Sequence, residues 1–282
     1  MIDMWLDYTR NYRNITEEER QIYESVCATE ESGALFGKIN HYNQYPTAVK
    51  HYLSLFPNNH IYLYDMKIQR DLHSLNEQFY SLIHNSTTTE REILRFINHN
   101  PKAYHIIGSI FSAGGFRFGH HEAYLFPEFR LGQDYIADYL LIGKSSGGFE
   151  FVFIELEKSS GRVTLKDGHI GQVVRSGENQ ITDWKMWIDA NFEELKMFFD
   201  SEKQIGTDLP IEFYKYDSSR MHYVVVGGTR EDYNDKTYGL RRRKEFETIT
   251  ENMNEGMVLM NYEKTHYDFW GFEYLGIYSG VW

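Results

Sequence analysis

Cysteine is almost missing from this chain: Cys27 is the only one in 282 residues. A single thiol excludes an intramolecular disulfide and any cysteine-based zinc cluster, and it fits a reducing cytoplasm. Long apolar runs are missing too. None approaches the roughly 18 residues that a membrane-spanning helix needs, and the first residues show neither the basic nor the apolar stretch of a secretory signal. A cytoplasmic protein with no membrane partner is therefore expected. Positive charge is scarce, since 29 Lys and Arg face 41 Asp and Glu for a formal charge of −12. That argues against a surface coated in basic residues for nonspecific nucleic-acid binding, while leaving room for a local basic groove. No internal repeat or low-complexity segment interrupts the chain. What it has in quantity is aromatic residues, with 22 Tyr, 19 Phe and 5 Trp. The length suits one large domain or two modest ones with ample core.

Residues 1–85 carry no catalytic pattern. Thr16-Glu-Glu-Glu19 is a capping box and predicts a helix to about Ala28. Thr47–Phe56 reads as a short helix closed by Pro57, His60–Ile68 as a strand, and Gln69–His84 as an amphipathic helix with Leu72, Leu75, Phe79 and Leu82 on one stripe. The polar tract Asn85–Thr89 reads either as the best boundary or simply as a helix N-terminus. As a boundary it leaves a smaller α+β region, residues 1–85, expected to gate access or assemble a homo-oligomer. Residues 86–282 carry the chemistry.

From Glu90 the pattern changes. A helix Glu90–His99 stops at Asn100-Pro101, and an irregular Gly-rich stretch, Gly108–His120, follows. Two strand-like runs, FPEFRLGQDYIADYLLI and FEFVFIELEKS, are broken by Gly132 and by the turn Ser145–Gly148. Gly161–Gly177 reads as a loop with room for some helix, residues 178–199 as a long helix, and Met221–Gly228 as a buried strand. A basic helical segment Lys236–Glu251, a strand Met257–Tyr262 and an aromatic tail Phe269–Trp282 complete the chain. The order helix, three strands, helix, strand predicts an α/β fold with a mixed sheet flanked by helices.

Within that order the acids stand out. Side chains alternate faces along a strand, so Val152, Ile154 and Leu156 share one face, and Phe151, Phe153, Glu155 and Glu157 share the other. Two neighbouring carboxylates at the end of an apolar strand repel each other and lose hydration, and a divalent cation removes both costs. Asp138, flanked on its own face by Ile136 and Leu140, is a third carboxylate that hairpin pairing brings alongside, and it is expensive to bury alone. Every strong candidate ligand is oxygen, which favours Mg²⁺ or Mn²⁺ over zinc. Glu157 also reads as a solvated strand end. Glu90 is a weaker candidate, because Thr87-x-x-Glu90 and Thr89-x-x-Glu92 are both capping boxes in form. The run Arg241, Arg242, Arg243, Lys244 could contact a phosphate backbone or be a solvated helix face. His120 and His121 have no histidine or cysteine at ligand spacing, so no zinc role is expected of them.

LGQDYIADYLL, FIELEKSSG, QITDWKMWIDAN and MVLMNYEKTHYDF together resemble the nuclease domain of the Shedu anti-phage defence proteins, within the PD-(D/E)XK nuclease superfamily. The likeness spans roughly residues 88–270. It implies a PD-(D/E)XK nuclease core and a metal-dependent DNA endonuclease of a bacterial anti-phage system. Asp138 and Glu155 would be metal ligands, and the Leu156 carbonyl the next one. Gln180, one turn before Trp184, matches the Gln-x-x-x-Tyr element of RecB-type nucleases, with Trp in place of Tyr. One position departs. The family's Glu-x-Lys would put lysine at 157, where this chain has Glu157 with Lys158 beside it. By strand parity Lys158 points away from Glu155. Some restriction enzymes of the superfamily use Glu-x-Glu, which makes Glu157 a further ligand or a base. Lys158, with Arg241–Lys244, is expected to contact nucleic acid. The alternative is a nuclease-fold module that binds nucleic acid or a protein partner without cutting.

Overall fold

The computed structural model describes residues 10–31, 54–61, 72–99, 103–232, 235 and 257–260. At its centre is a five-stranded sheet in the order β1 (Glu122–Leu131), β2 (Tyr135–Ser145), β3 (Gly148–Leu156), β4 (Met221–Val226) and β5 (Met257–Met260). Short turns make β1, β2 and β3 antiparallel neighbours, whereas β4 runs parallel to β3 and β5 parallel to β4. A parallel neighbour needs a long crossover. Between β3 and β4 that crossover is the helix Gln172–Glu202.

Among the described residues five further helices precede the sheet in sequence: α1 (Glu17–Glu31), α2 (Leu72–Ile83), α3 (Glu90–Asn98), α4 (Tyr104–Gly108) and α5 (Ile110–Ala113), so the crossover helix is α6. The capping box at Thr16 forms, with the Thr16 amide on Glu19 Oε2 at 2.9 Å and the Glu19 amide on Thr16 Oγ1 at 3.2 Å. Of the two boxes offered at α3, only Thr89 with Glu92 closes. Thr87 turns to Asn85 Oδ1 instead.

The two faces of the sheet carry separate cores. Ile181, Trp184, Ile188, Phe192, Leu195 and Phe199 recur at helical spacing along α6 and bury against Phe129, Leu140, Ile142, Phe151, Phe153 and Tyr223. On the opposite face Tyr139, Leu141, Val152, Ile154, Leu156 and Val224 pack under Phe79, Ile83, Ile93, Ile97 and Ile107. The alternation expected of β3 therefore stands, with the phenylalanines toward α6 and the aliphatic residues toward the small helices. Elements on both sides of residue 85 share these cores. Phe56, fully buried, meets Tyr124, Phe126, Phe199 and Phe213 at ring distances of 5.1–5.8 Å. His60 bridges Tyr124 on the outer edge of β1, flanked by the bonds from Ile61 N to the Ala123 carbonyl (2.9 Å) and from Leu125 N to the Asn59 carbonyl (2.8 Å).

Three local expectations are corrected. Ser54–Phe56 is a bend and not the end of a helix, and Ile110–Ala113 is helical inside the stretch expected to be irregular. The long helix begins at Gln172, not residue 178, and so includes Gly177. A Cβ on Gly177 would lie 2.7 Å from Val225 Cγ1, so glycine is what lets α6 press onto β4. The expected helix Lys236–Glu251 and the aromatic tail lie outside the described residues.

Candidate metal and catalytic site

The acids gather where the β2–β3 ladder ends. The last paired residues there are Tyr139 and Ile154, and one step further the same register sets Asp138 against Glu155. The ladder does not simply stop. Asp138 Oδ2 accepts the Leu156 amide at 2.7 Å, so a carboxylate takes over where a strand carbonyl would stand. Glu155 is buried, and its carboxylate accepts a hydrogen bond from the Gln180 side-chain amide of α6. Gln180 is otherwise an exposed helix residue, and Trp184 one turn on is sealed in the core below it. Glu157 follows Leu156 out of the strand, its amide held by the Val226 carbonyl at 2.7 Å and its side chain buried. Glu90 is the first residue of α3. Because Glu92 closes the capping box, the Glu90 carboxylate is not spent on it.

The electrostatics bind these four residues into one group. Burial is the first cause of the upward shift at Asp138, Glu155, Glu157 and Glu90 alike. At Glu155 and Glu157 the charges of the neighbouring acids come next, whereas at Glu90 the charges of Lys158 and Arg91 oppose the rise. Asp138, Glu90 and Glu157 raise Glu155 further, against the Gln180 bond, while Glu90 and Asp138 help push Glu157 up to about 7. At Asp138 the Leu156 bond opposes the rise, to which Glu90 and Glu128 add. Lys158 is exposed, and its charge reaches Glu90 and Glu157.

Sequence reasoning passed over Glu128. It stands opposite Asp138 between the pairs Pro127–Tyr139 and Phe129–Ala137, and it holds a left-handed φ of 49°. A non-glycine residue seldom adopts that conformation in a strand. Nothing in the local sequence marks it, and only the register with Asp138 could have. Elsewhere His120 and His121 are exposed, their rings 4.4 Å apart edge to face. Arg241, Arg242, Arg243 and Lys244 lie outside the described residues.

A resident divalent ion is implied by the resemblance, and the donor chemistry suits one. The set is all oxygen, buried, and short of positive charge. The side chains as they stand, however, do not converge as a ligand cage. Among the described residues no three His, Cys, Asp or Glu side chains sit close enough to hold an ion together. Asp138 and Glu155 each direct a carboxylate oxygen to a protein hydrogen bond, and taking up an ion would exchange those bonds.

Among the described residues no helix is long and apolar enough to cross a membrane. No curated protein and no solved structure matches the chain. The family model described as Shedu protein SduA, C-terminal, matches residues 86–264. With more than half of its length so matched, the chain belongs to the Shedu family, a membership that points to a role in anti-phage defence.

Proposed function

We propose that this protein is a divalent-metal-dependent DNA endonuclease acting in that defence, with the helix–three strands–helix–strand order serving as a PD-(D/E)XK core. The observation that carries the reading is the set of buried acids where the β2–β3 ladder ends, Asp138 on β2 and Glu155 and Glu157 on β3, each raised further by the charges of its acidic neighbours and of Glu90 on α3. Burying like charges together is costly and is useful only where a cation or a proton is to be held.

In this reading Asp138 and Glu155 would hold Mg²⁺ or Mn²⁺, with the Leu156 carbonyl and Glu157 as further ligands and Glu90 as a weaker candidate. The ion, when bound, supplies the charge that lowers a water's pKa and polarises a phosphoryl oxygen. Glu157, which follows Glu155 and Leu156 out of β3, would be either a further ligand or the base that accepts the proton of the attacking water. Gln180, already bonded to Glu155, steadies that carboxylate and presents its amide to the scissile phosphate or the water.

One observation favours a second reading. Position 157 is a glutamate, and the adjacent lysine, Lys158, is exposed and beyond the strand. Without a lysine at 157 the fold could bind DNA or a protein partner and not cut. Supercoiled plasmid incubated with Mg²⁺, with Mn²⁺ and with EDTA separates the two. Endonuclease function requires metal-dependent relaxation that Asp138→Ala and Glu155→Ala both abolish. Relaxation at the wild-type rate in either folded variant places the chemistry elsewhere, and none in the wild type favours the second reading.

A further inference from the structure

The connection between β3 and α6 is basic in a molecule that is acidic overall. From Lys158 to Arg175 it carries Lys158, Arg162, Lys166 and Arg175 against a single acid, Asp167, in a chain whose formal charge is −12. All four basic residues are exposed, as is His169. The stretch is also built. Thr164 and Ile170 form an antiparallel bridge, the Leu165 amide bonds the His169 carbonyl at 2.8 Å, and the Gly171 amide bonds the Val163 carbonyl at 2.8 Å. Asp167 Oδ1 accepts the His169 amide at 3.0 Å, so the one acid is turned into the tip. Fully buried Val163 anchors the base, where a Cβ on Gly228 would meet its Cγ2 at 2.4 Å. Arg175 braces the same base through the Ile170 carbonyl at 3.3 Å. A Cβ on Gly227 would meet Glu157 Cβ at 3.2 Å while one on its neighbour Gly228 meets Val163, so the base of the hairpin stands beside Glu157 at the rim of the acid site.

We propose that the hairpin Arg162–Gly171, with Arg175 at its base, grips the phosphate backbone of duplex DNA and seats it over the acid cluster. This rests on the nuclease reading for what happens next, but not for the grip itself. Fixed positive charges on a rigid turn suit phosphates, whose condensed counterions they release. Residues 158–175 contain no Phe, Tyr or Trp. A single-strand platform would need such rings for stacking, so the duplex is the better partner.

The test uses the full chain in EDTA, with fluorescence anisotropy of a labelled DNA duplex measured across a salt series. Arg162→Gln, Lys166→Gln and Arg175→Gln are combined, and Lys158 is left intact because its charge reaches Glu90 and Glu157. Each phosphate contact contributes about 0.9 to the slope of log affinity against log salt. The triple variant is therefore expected to lose about 2–3 from that slope and on the order of tenfold or more in affinity at low salt. A control lacking Lys196 and Lys203, which pair with Asp200, should bind as the wild type does. An unchanged slope in the triple variant overturns the grip, as does a wild type that binds no duplex or that prefers single strands or RNA. If the slope falls but wild-type protein with Mg²⁺ cuts nothing, the grip stands and the nuclease reading fails. If the slope is unchanged and cutting persists, the reverse holds.

Discussion

Asp138, Glu155 and Glu157 are carboxylates that the fold holds more protonated than water would, because they are buried and face one another. The sign of the consequence follows from linkage. A folded pKa above the unfolded value means that the native state binds extra protons between the two, so stability falls as pH rises through that window. In EDTA the protein is expected to be most stable near pH 4–5 and to lose stability toward pH 7 and beyond, where Glu157 at about 7 ionises. Asp138→Asn with Glu155→Gln keeps the hydrogen-bonding shapes and removes the charges. It should raise stability at neutral pH by about 1–3 kcal/mol and flatten the pH profile. Denaturant melts at pH 5 and pH 7.5 check this, and a variant less stable than the wild type at both would contradict it. Glu157 separates its two roles by mutation. Glu157→Gln should cut the cleavage rate by at least tenfold if the carboxylate is the base, and Glu157→Lys, which restores the family pattern, should recover part of it. An unchanged rate in Glu157→Gln rejects the base role.

At the scale of elements, α6 is what positions Gln180, and its closeness to β4 depends on Gly177. Gly→Ala inside a helix ordinarily stabilises by about 0.5–1 kcal/mol. Here the new methyl would sit 2.7 Å from Val225 Cγ1, and overpacking costs about 1–3 kcal/mol. Gly177→Ala is expected to lower stability and to slow cleavage through Gln180, with Val225→Ala restoring part of both. Stabilisation by Gly177→Ala alone would show that the helix has room to move. The same glycine explains why this helix was read short. Glycine marks loops in sequence, and only the sheet beneath reveals a close approach. Strands β1–β3 were legible because their period-two pattern and turn glycines are local signals. The pairing of Asp138 with Glu155 was foreseeable from the hairpin. The role of the Leu156 amide and the left-handed Glu128 was not, since both arise where the ladder ends. Glu90 was obscured because two capping boxes fit the sequence and only the structure selects Glu92.

For the whole molecule, the residues before 86 are more than an appendage. Phe56 is buried among four rings, and Asn58 ties back to the Tyr12 amide at 2.7 Å. Phe56→Ala should cost about 3–5 kcal/mol, measured by denaturant unfolding, and a cost under 1 kcal/mol would mean that this packing contributes little. Deleting residues 1–85 would remove Leu55, Phe56, Phe79 and Ile83 from the two cores. That deletion is expected to unfold the domain and not merely release its activity.

Whether the buried acids take up a divalent ion is tested most directly by calorimetric titration of Mn²⁺ into the protein at pH 7.5, in two buffers of different ionisation enthalpy. The wild type should bind saturably and release protons, giving heats that differ between the buffers, because carboxylates held protonated by burial must give up their protons to the metal. Asp138→Asn with Glu155→Gln should abolish that binding. Equal heats and equal affinity in wild type and variant would contradict a metal site at Asp138 and Glu155.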